Sequence, residues 1–330
     1  MYPHISETTV TQQETSRLEH FPISWFATVM GLAGLTMALH RAESVFAMAF
    51  RPSSLLLILT VLTFTILAGI YTLKLIRYPQ RVTGELHHPF KLNFFPTISI
   101  GLILISSALL PLHQPSSLVV WALGTTLHLA FTLYVLSVWV HHTHFEINHM
   151  NPAWFIPIVG NILVPIAGVE HASPEISWFF FSIGLVFWMV LLTIIFYRMF
   201  FHQPLPNKLL PTLFILIAPP GVGFLSWLQL NGGELDAFAR VLYYAALFLT
   251  MMLLTQARRF VNLEFFLSWW AYSFPMAAIT IATLTMYQLL ELAFFRWLGL
   301  FLLIALILLI AGLVVRTVMA VKRHEICLED

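Results

Sequence analysis

Ten runs of apolar residues, each about 20 residues long, follow one another along the 330-residue chain. A run of this length crosses the hydrocarbon core of a bilayer as an α-helix, whose backbone needs no partner outside itself. Charged residues make up only 9% of the chain, whereas a soluble domain carries about a quarter. A membrane β-barrel would show short alternating segments instead. The sequence therefore predicts an all-α polytopic membrane protein, with spans over 22–40, 53–76, 93–111, 117–140, 153–169, 176–200, 209–229, 237–257, 264–286 and 296–317.

The basic residues between the spans predict the orientation. An even number of spans places both termini on one side. If that side is the cytoplasm, twelve of the 16 Lys and Arg residues lie on the inner side and four on the outer side, as the positive-inside rule favours. We therefore expect a multi-pass protein of the cell (inner) membrane, with both termini cytoplasmic. Residues 1–21 and 318–330 would form the two tails, and 22–317 the transmembrane domain.

Among the predicted spans, prolines occur only in the odd-numbered ones. A proline removes a backbone donor and kinks a helix, and the carbonyl it frees is costly in lipid. Kinked helices therefore belong inside the bundle, where a lumen can hydrate the freed carbonyl. The pattern predicts five helical hairpins, with an inner ring of five kinked helices around a pore and an outer ring of five straight ones. The predicted kinks are at Pro96, Pro157, Pro165, Pro219 and Pro275.

No Asp, Glu, Lys or Arg lies near the centre of any span, although proton-coupled transporters usually place one there. An uncharged, kinked ring could instead pass a small anion along amides, hydroxyls and helix N-termini. Ser24, Asn161 and Ser273 are the predicted pore-lining polar residues, and Lys91 is a candidate for attracting anions at the inner mouth. His128 lies mid-span on an even helix, where a hydrogen-bonded packing role is favoured over a proton relay.

Other functional classes have little support. A net charge of +1 gives no field that favours nucleic acid. Cys327 is the single cysteine, so no intramolecular disulfide forms. No glycine-rich phosphate loop, HExxH motif or nucleophile elbow occurs, so neither an enzyme nor a cofactor is predicted.

One loop is rich in histidine. "HHTHFEINHMNP" contains His141, His142, His144, Glu146 and His149. Clustered His and Glu side chains can bind Zn²⁺ or a transition metal. Since no second ligand-rich segment occurs in the chain, a structural loop is favoured and no metal site is predicted. An adventitious or regulatory metal remains the alternative.

Four stretches resemble one known family. They are "HFPISWFATVMGLAGL" in the first span, "HPFKLNFFP" (88–96), "NPAWFIPIVGNILVPIAG" (151–168) and "WAYSFPMAA" (270–278). Together they resemble the family of tellurite-resistance protein A, slow-type anion channels and C4-dicarboxylate transporters. The resemblance covers all ten spans in order.

The resemblance implies a homotrimer in which each protomer has its own pore. The family's occluding phenylalanine corresponds to Phe274, a second pore-facing aromatic residue to Phe26, and the basic residue before the third helix to Lys91. This sequence departs from the family in having Pro275 directly after the phenylalanine, which bears on the orientation of the ring.

The resulting hypothesis is an anion channel, or a channel-like transporter, that passes small inorganic or organic anions through a pore gated by Phe274. Two alternatives stay open at this stage. One is a secondary transporter of a small acid such as a C4-dicarboxylate or sulfite. The other is a tellurite-resistance protein that works through the histidine-rich loop.

Overall fold

A computed structural model describes residues 17–141 and 145–327, with only the backbone of residue 261. It contains ten helical spans long and apolar enough to cross a membrane, and each end lies within five residues of its predicted position. The prediction of an all-α polytopic membrane protein is confirmed. The spans, numbered in chain order, are Ile23–Val45, Pro52–Arg77, Lys91–Leu109, Gln114–His141, Pro152–His171, Pro174–Phe201, Asn207–Leu230, Ala237–Leu254, Leu267–Leu290 and Ala293–Lys322.

Odd and even spans are built differently. The even spans are continuous α-helices over their whole length. Every odd span instead begins with a 3₁₀-helix and then continues as an α-helix. The fifth span also contains a second 3₁₀-helix, Gly160–Leu163, between the α-helices Phe155–Val159 and Pro165–His171. We call the change from one helix type to the other the joint. The opening 3₁₀-helices are Ile23–Phe26, Lys91–Phe94, Pro152–Trp154, Asn207–Ile217 and Leu267–Tyr272.

The prolines at the predicted kinks lie at these joints, just before an α-helix or among its first three residues. Pro165 is the first residue of the α-helix Pro165–His171, Pro219 the second of Ala218–Leu230, and Pro275 the third of Ser273–Leu290. In the first turn an α-helix makes no use of its N–H groups, so a proline there costs little. The expected mid-helix kinks are thus changes of helix type. Pro96 directly precedes the α-helix Thr97–Leu109, and Pro157 lies within Phe155–Val159.

The carbonyls that the prolines free are bonded by protein. The freed carbonyl belongs to the residue four positions before the proline. The residue just before the proline donates its N–H to this oxygen, in a hydrogen bond of the 3₁₀ type. Phe95 N–H donates to Leu92 O at 3.2 Å, and Val164 N–H to Asn161 O at 3.2 Å. Ala218 N–H donates to Ile215 O in the same way. At these three joints the expectation that a lumen hydrates the carbonyl is therefore wrong.

Burial separates the two sets of spans. Between 67% and 83% of each odd span is buried, against 22% to 39% of each even span. The odd spans pack against one another in the order first, third, fifth, seventh, ninth and back to the first. The even spans carry exposed large apolar side chains such as Leu55, Leu123 and Phe301, which suit contact with lipid.

A buried ion pair fixes the start of the first span. Lys74, at the end of the second span, lies 3.0 Å from Glu85 in the short helix Pro79–His87. Its Nζ also donates to Phe21 O at 2.8 Å, and Tyr71 Oη donates to Glu85 at 2.7 Å. All four groups are buried, so each polar atom in this network requires its partner.

Candidate functional site

A cavity of about 60 Å³ lies among the five odd spans. Each odd span contributes to its wall, and no residue of an even span does. The wall residues are Ala27 and Met30; Phe94, Thr97 and Ile100; Phe155, Ile156, Val159, Gly160, Ile162 and Leu163; Ile215, Ala218, Pro219 and Val222; and Trp270, Ala271, Phe274 and Pro275.

The wall is apolar and carries no charged side chain. Its one hydroxyl, on Thr97, donates to Phe94 O at 2.5 Å. The indole N–H of Trp270 donates to Thr317 in the tenth span at 2.9 Å, away from the cavity. An ion in this cavity would therefore meet no fixed opposite charge, and its binding would be weak.

Phe274 forms part of the wall and is buried. The ring also lies close to the first span at Gly34: a methyl group added to this glycine would lie 3.3 Å from Cδ2 of Phe274. Pro275 also belongs to the wall. The Phe-Pro pair is thus at a joint, in the first turn of the α-helix of the ninth span.

Phe26 has a different environment. Its ring packs edge-on against Phe64 and Tyr71 of the second span, with centroids 5.9 Å and 6.1 Å apart. It is buried but does not belong to the cavity wall. The structure therefore turns Phe26 away from the cavity, whereas the resemblance implied a pore-facing ring.

The three predicted pore-lining polar residues lie outside the wall. Asn161 Nδ2 donates to Thr132 Oγ1 of the fourth span at 2.9 Å. Ser273 packs against Gly31 of the first span and donates to Trp270 O at 2.6 Å. Ser24 is half-buried in the opening 3₁₀-helix of the first span. Asn161 thus links the fifth span to the fourth, and Ser273 packs the ninth span against the first.

The odd spans share one hydrogen-bond pattern that was not predicted from the sequence. In each odd span a short polar side chain donates to the carbonyl three residues earlier. Each of these side chains is a Ser, Thr or Asn within six residues of a proline, which is the signal that the sequence offers. The five bonds are Thr28 to Trp25 O, Thr97 to Phe94 O, Asn161 to Ile158 O, Thr212 to Leu209 O and Ser273 to Trp270 O, at 2.5–2.8 Å.

The remaining candidate positions lie at the edge of the site or behind it. Lys91 is half-buried at the start of the third span, three residues before the wall residue Phe94. Pro96, Pro157 and Pro165 are outside the wall, whereas Pro219 is part of it. His128 is fully buried and pairs with Ser99 at 2.9 Å, the hydrogen-bonded packing role favoured from sequence.

The histidine-rich loop is described only in part, because His142 and His144 lie outside the described residues. Glu146 and His149 form a capping box for the short 3₁₀-helix Ile147–His149. His141 Nδ1 lies 2.9 Å from Ser137 O. The described histidines of this loop therefore all have local structural partners.

Comparison with known proteins identifies the family. The model of the SLAC1 family, voltage-dependent anion channel, matches residues 20–318. The uncharacterized transporter MJ0762 of Methanocaldococcus jannaschii is 26% identical over 83% of this chain and 87% of its own length. The tellurite resistance protein TehA homolog of Haemophilus influenzae is 24% identical, over 87% of this chain and 88% of its own length.

A plant relative is longer than this chain. The S-type anion channel SLAH2 of Arabidopsis thaliana is 28% identical over 81% of this chain, but the match spans only 53% of SLAH2. The match therefore covers about half of the length of SLAH2. Because the family match runs from before the first span to within the last, the chain belongs to the SLAC1 family of anion channels and transporters.

Proposed function

We propose that this chain is an anion channel, or a channel-like anion transporter, whose path passes through the cavity between the odd spans. The observation that carries this proposal is the composition of the wall: all five odd spans contribute, no even span does, and Phe274 is among the contributors. In the proposed conformation the ring of Phe274 occludes the path. The family membership supports anion transport in general.

An uncharged wall suits conduction better than storage. Without a fixed charge an anion is held weakly and leaves quickly. Selection among anions would then depend on the energy of dehydration and on size. The permeant species belong to the class of small inorganic or organic anions.

The test is flux in liposomes that contain purified protein and one of nitrate, chloride, sulfite or malate. An occluding ring adds to the barrier, and each 1.4 kcal/mol is a factor of ten, so Phe274→Ala should raise flux about ten-fold or more. Phe248→Ala is the matched control, because this ring is exposed on the eighth span. Equal flux for wild type and Phe274→Ala would rule out the gate.

A coupled transporter of a small acid is the second candidate, and it is favoured by the name of the relative MJ0762, an uncharacterized transporter. Measured reversal potentials distinguish a channel from a coupled transporter. A channel follows the anion gradient alone, whereas a proton-coupled carrier shifts its reversal potential when only pH is changed.

The assembly and orientation belong to the same proposal. A homotrimer in the cell (inner) membrane, with both termini cytoplasmic, agrees with the family resemblance and with the distribution of Lys and Arg. The exposed apolar faces of the even spans are the surfaces available for lipid and for neighbouring protomers. Native mass spectrometry of the detergent-solubilised protein would give the number of protomers.

A further inference from the structure

Arg198 is a cation buried at the end of an outer helix. It lies in the last turn of the sixth span, and only 2% of its surface is exposed. Ionised side chains are rarely buried to this extent without a partner. Its burial follows from helical periodicity, because it continues the stripe of buried residues along this span. The stripe contains Ser177, Phe181, Gly184, Trp188, Leu191, Ile195 and Arg198.

This stripe faces the fifth span. A methyl group added to Gly168 would lie 2.7 Å from Ser177 Oγ, and one added to Gly184 would lie 2.8 Å from the backbone nitrogen of Ile162. The two helices are therefore antiparallel. Following the stripe to Arg198 leads past the start of the fifth span, on the side predicted to be cytoplasmic. Arg198 therefore lies at the membrane boundary on that side.

Arg198 has no partner within the described part of the chain. Its Nε and Nη1 atoms are buried and make no hydrogen bond to any described residue. Lys74, another deeply buried cation, differs in this respect, because it is paired with Glu85 and Phe21 O. Removing an ion from water without a counter-charge costs several kcal/mol. The carbonyls at the end of the helix offset only part of this cost.

We propose that Arg198 binds an oxyanion, either phosphate from solution or the phosphate of an anionic lipid headgroup. A guanidinium presents its donors in a planar fork that matches two oxygens of such a group. The membrane boundary is the depth at which lipid phosphates lie. Arg198 is not part of the cavity wall, so this site is separate from the proposed path and does not rest on it.

The experiment compares thermal unfolding of the full chain with that of Arg198→Met. An anion that binds only the folded protein raises its midpoint with concentration. We expect inorganic phosphate, or nanodiscs with phosphatidylglycerol in place of phosphatidylcholine, to raise the wild-type midpoint, and this rise to be lost in Arg198→Met. Arg77→Met is the matched control, because Arg77 lies in the last turn of the second span but is exposed. It should respond like the wild type.

The two arms also identify the source of the oxyanion. A response to phosphate in detergent indicates a free anion, and a response to phosphatidylglycerol alone indicates a lipid headgroup. If Arg198→Met responds as the wild type does, or the wild type responds in neither arm, the proposal is overturned. If Arg198→Met does not fold, Arg198→Lys replaces it. That variant keeps the charge without the fork, so the rise should require more phosphate.

Discussion

Gly34 in the first span and Phe274 in the ninth are in direct contact across the inner layer of the bundle. A methyl group on Gly34 would lie 3.3 Å from Cδ2 of the phenylalanine ring and 2.8 Å from Cβ of Ala277. Because the cavity lies against the same ring, this glycine leaves the space that lets the ring rest against the first span.

Filling that space should alter the proposed gate. In Gly34→Ala the methyl group crowds the ring of Phe274 as well as Cβ of Ala277, and we expect anion flux to fall about five-fold if a shift of the ring adds about 1 kcal/mol to the barrier. Liposome flux of Gly34→Ala, Phe274→Ala and the double variant measures the effect.

The double variant shows whether Gly34 acts through the ring. If it does, Gly34→Ala changes nothing once Phe274 is alanine. Gly101→Ala is a control of similar tightness on the third span, because its added methyl group would lie 3.3 Å from Val29 and 3.6 Å from Phe64, neither of which belongs to the cavity wall. A five-fold loss in both backgrounds would show that Gly34 affects the packing of the helices and not the ring.

Substitution by alanine should have opposite effects on stability at Gly184 and at Gly69. Both lie in even spans, but a methyl group on Gly184 would meet the backbone of Ile162 at 2.8 Å, whereas Gly69 has no neighbour within 4 Å. We expect Gly184→Ala to cost about 1–3 kcal/mol of stability. Gly69→Ala should be neutral or stabilise by up to about 1 kcal/mol, because alanine favours the helix. Thermal unfolding in detergent compares them, and equal midpoints would contradict the close approach of the fifth and sixth spans.

The Lys74–Glu85 pair should be strongly coupled. Glu85→Ala leaves Lys74 buried without a counter-charge and should destabilise the protein by about 3–5 kcal/mol. Replacing both partners, in Lys74→Met with Glu85→Leu, should cost less than Glu85→Ala alone. Denaturation in detergent gives the free energies. Additive losses would show that the two groups do not depend on each other.

Labelling of Cys327 by maleimide can test both the burial of its thiol and the side of the membrane on which the C-terminal tail lies. Cys327 is the single cysteine of the chain, so no mutation is needed. Burial raises the pKa of its thiol, against smaller lowering effects of Trp25, Arg17 and Lys74. Since the thiolate is the reactive form, labelling by maleimide should be slower at neutral pH than for an unfolded control, and should accelerate as pH rises above the usual thiol range.

The same reagent tests the orientation. A membrane-impermeant maleimide should label Cys327 in inside-out vesicles and leave it unlabelled in right-side-out vesicles, as mass spectrometry would show. Labelling in the right-side-out preparation would reverse the predicted orientation of all ten spans.

Much of the fold was predictable because it depends on local properties of the chain. Span number and approximate ends follow from the length and polarity of each run. The difference in burial between odd and even spans follows the distribution of prolines, because a proline is tolerated where other helices surround it. The joints were harder to predict from the sequence. A proline indicates that an α-helix is interrupted, but the change to a 3₁₀-helix depends on which hydrogen bonds the neighbouring backbone groups form.

The sequence by itself determined that this is a ten-span membrane protein of the SLAC1 family, with Phe274 as a candidate gate. Tertiary structure alone decided which way each side chain points. Phe26 and Phe274 are both buried aromatic residues on odd spans, yet one ring packs on the second span and the other forms the cavity wall. Asn161 is bonded to Thr132 and lies outside the wall, and Arg198 is buried although it lies on an outer span. The physical reason is that hydrophobicity places a helix in the membrane, whereas its rotation about its own axis is fixed only by the neighbours against which it packs.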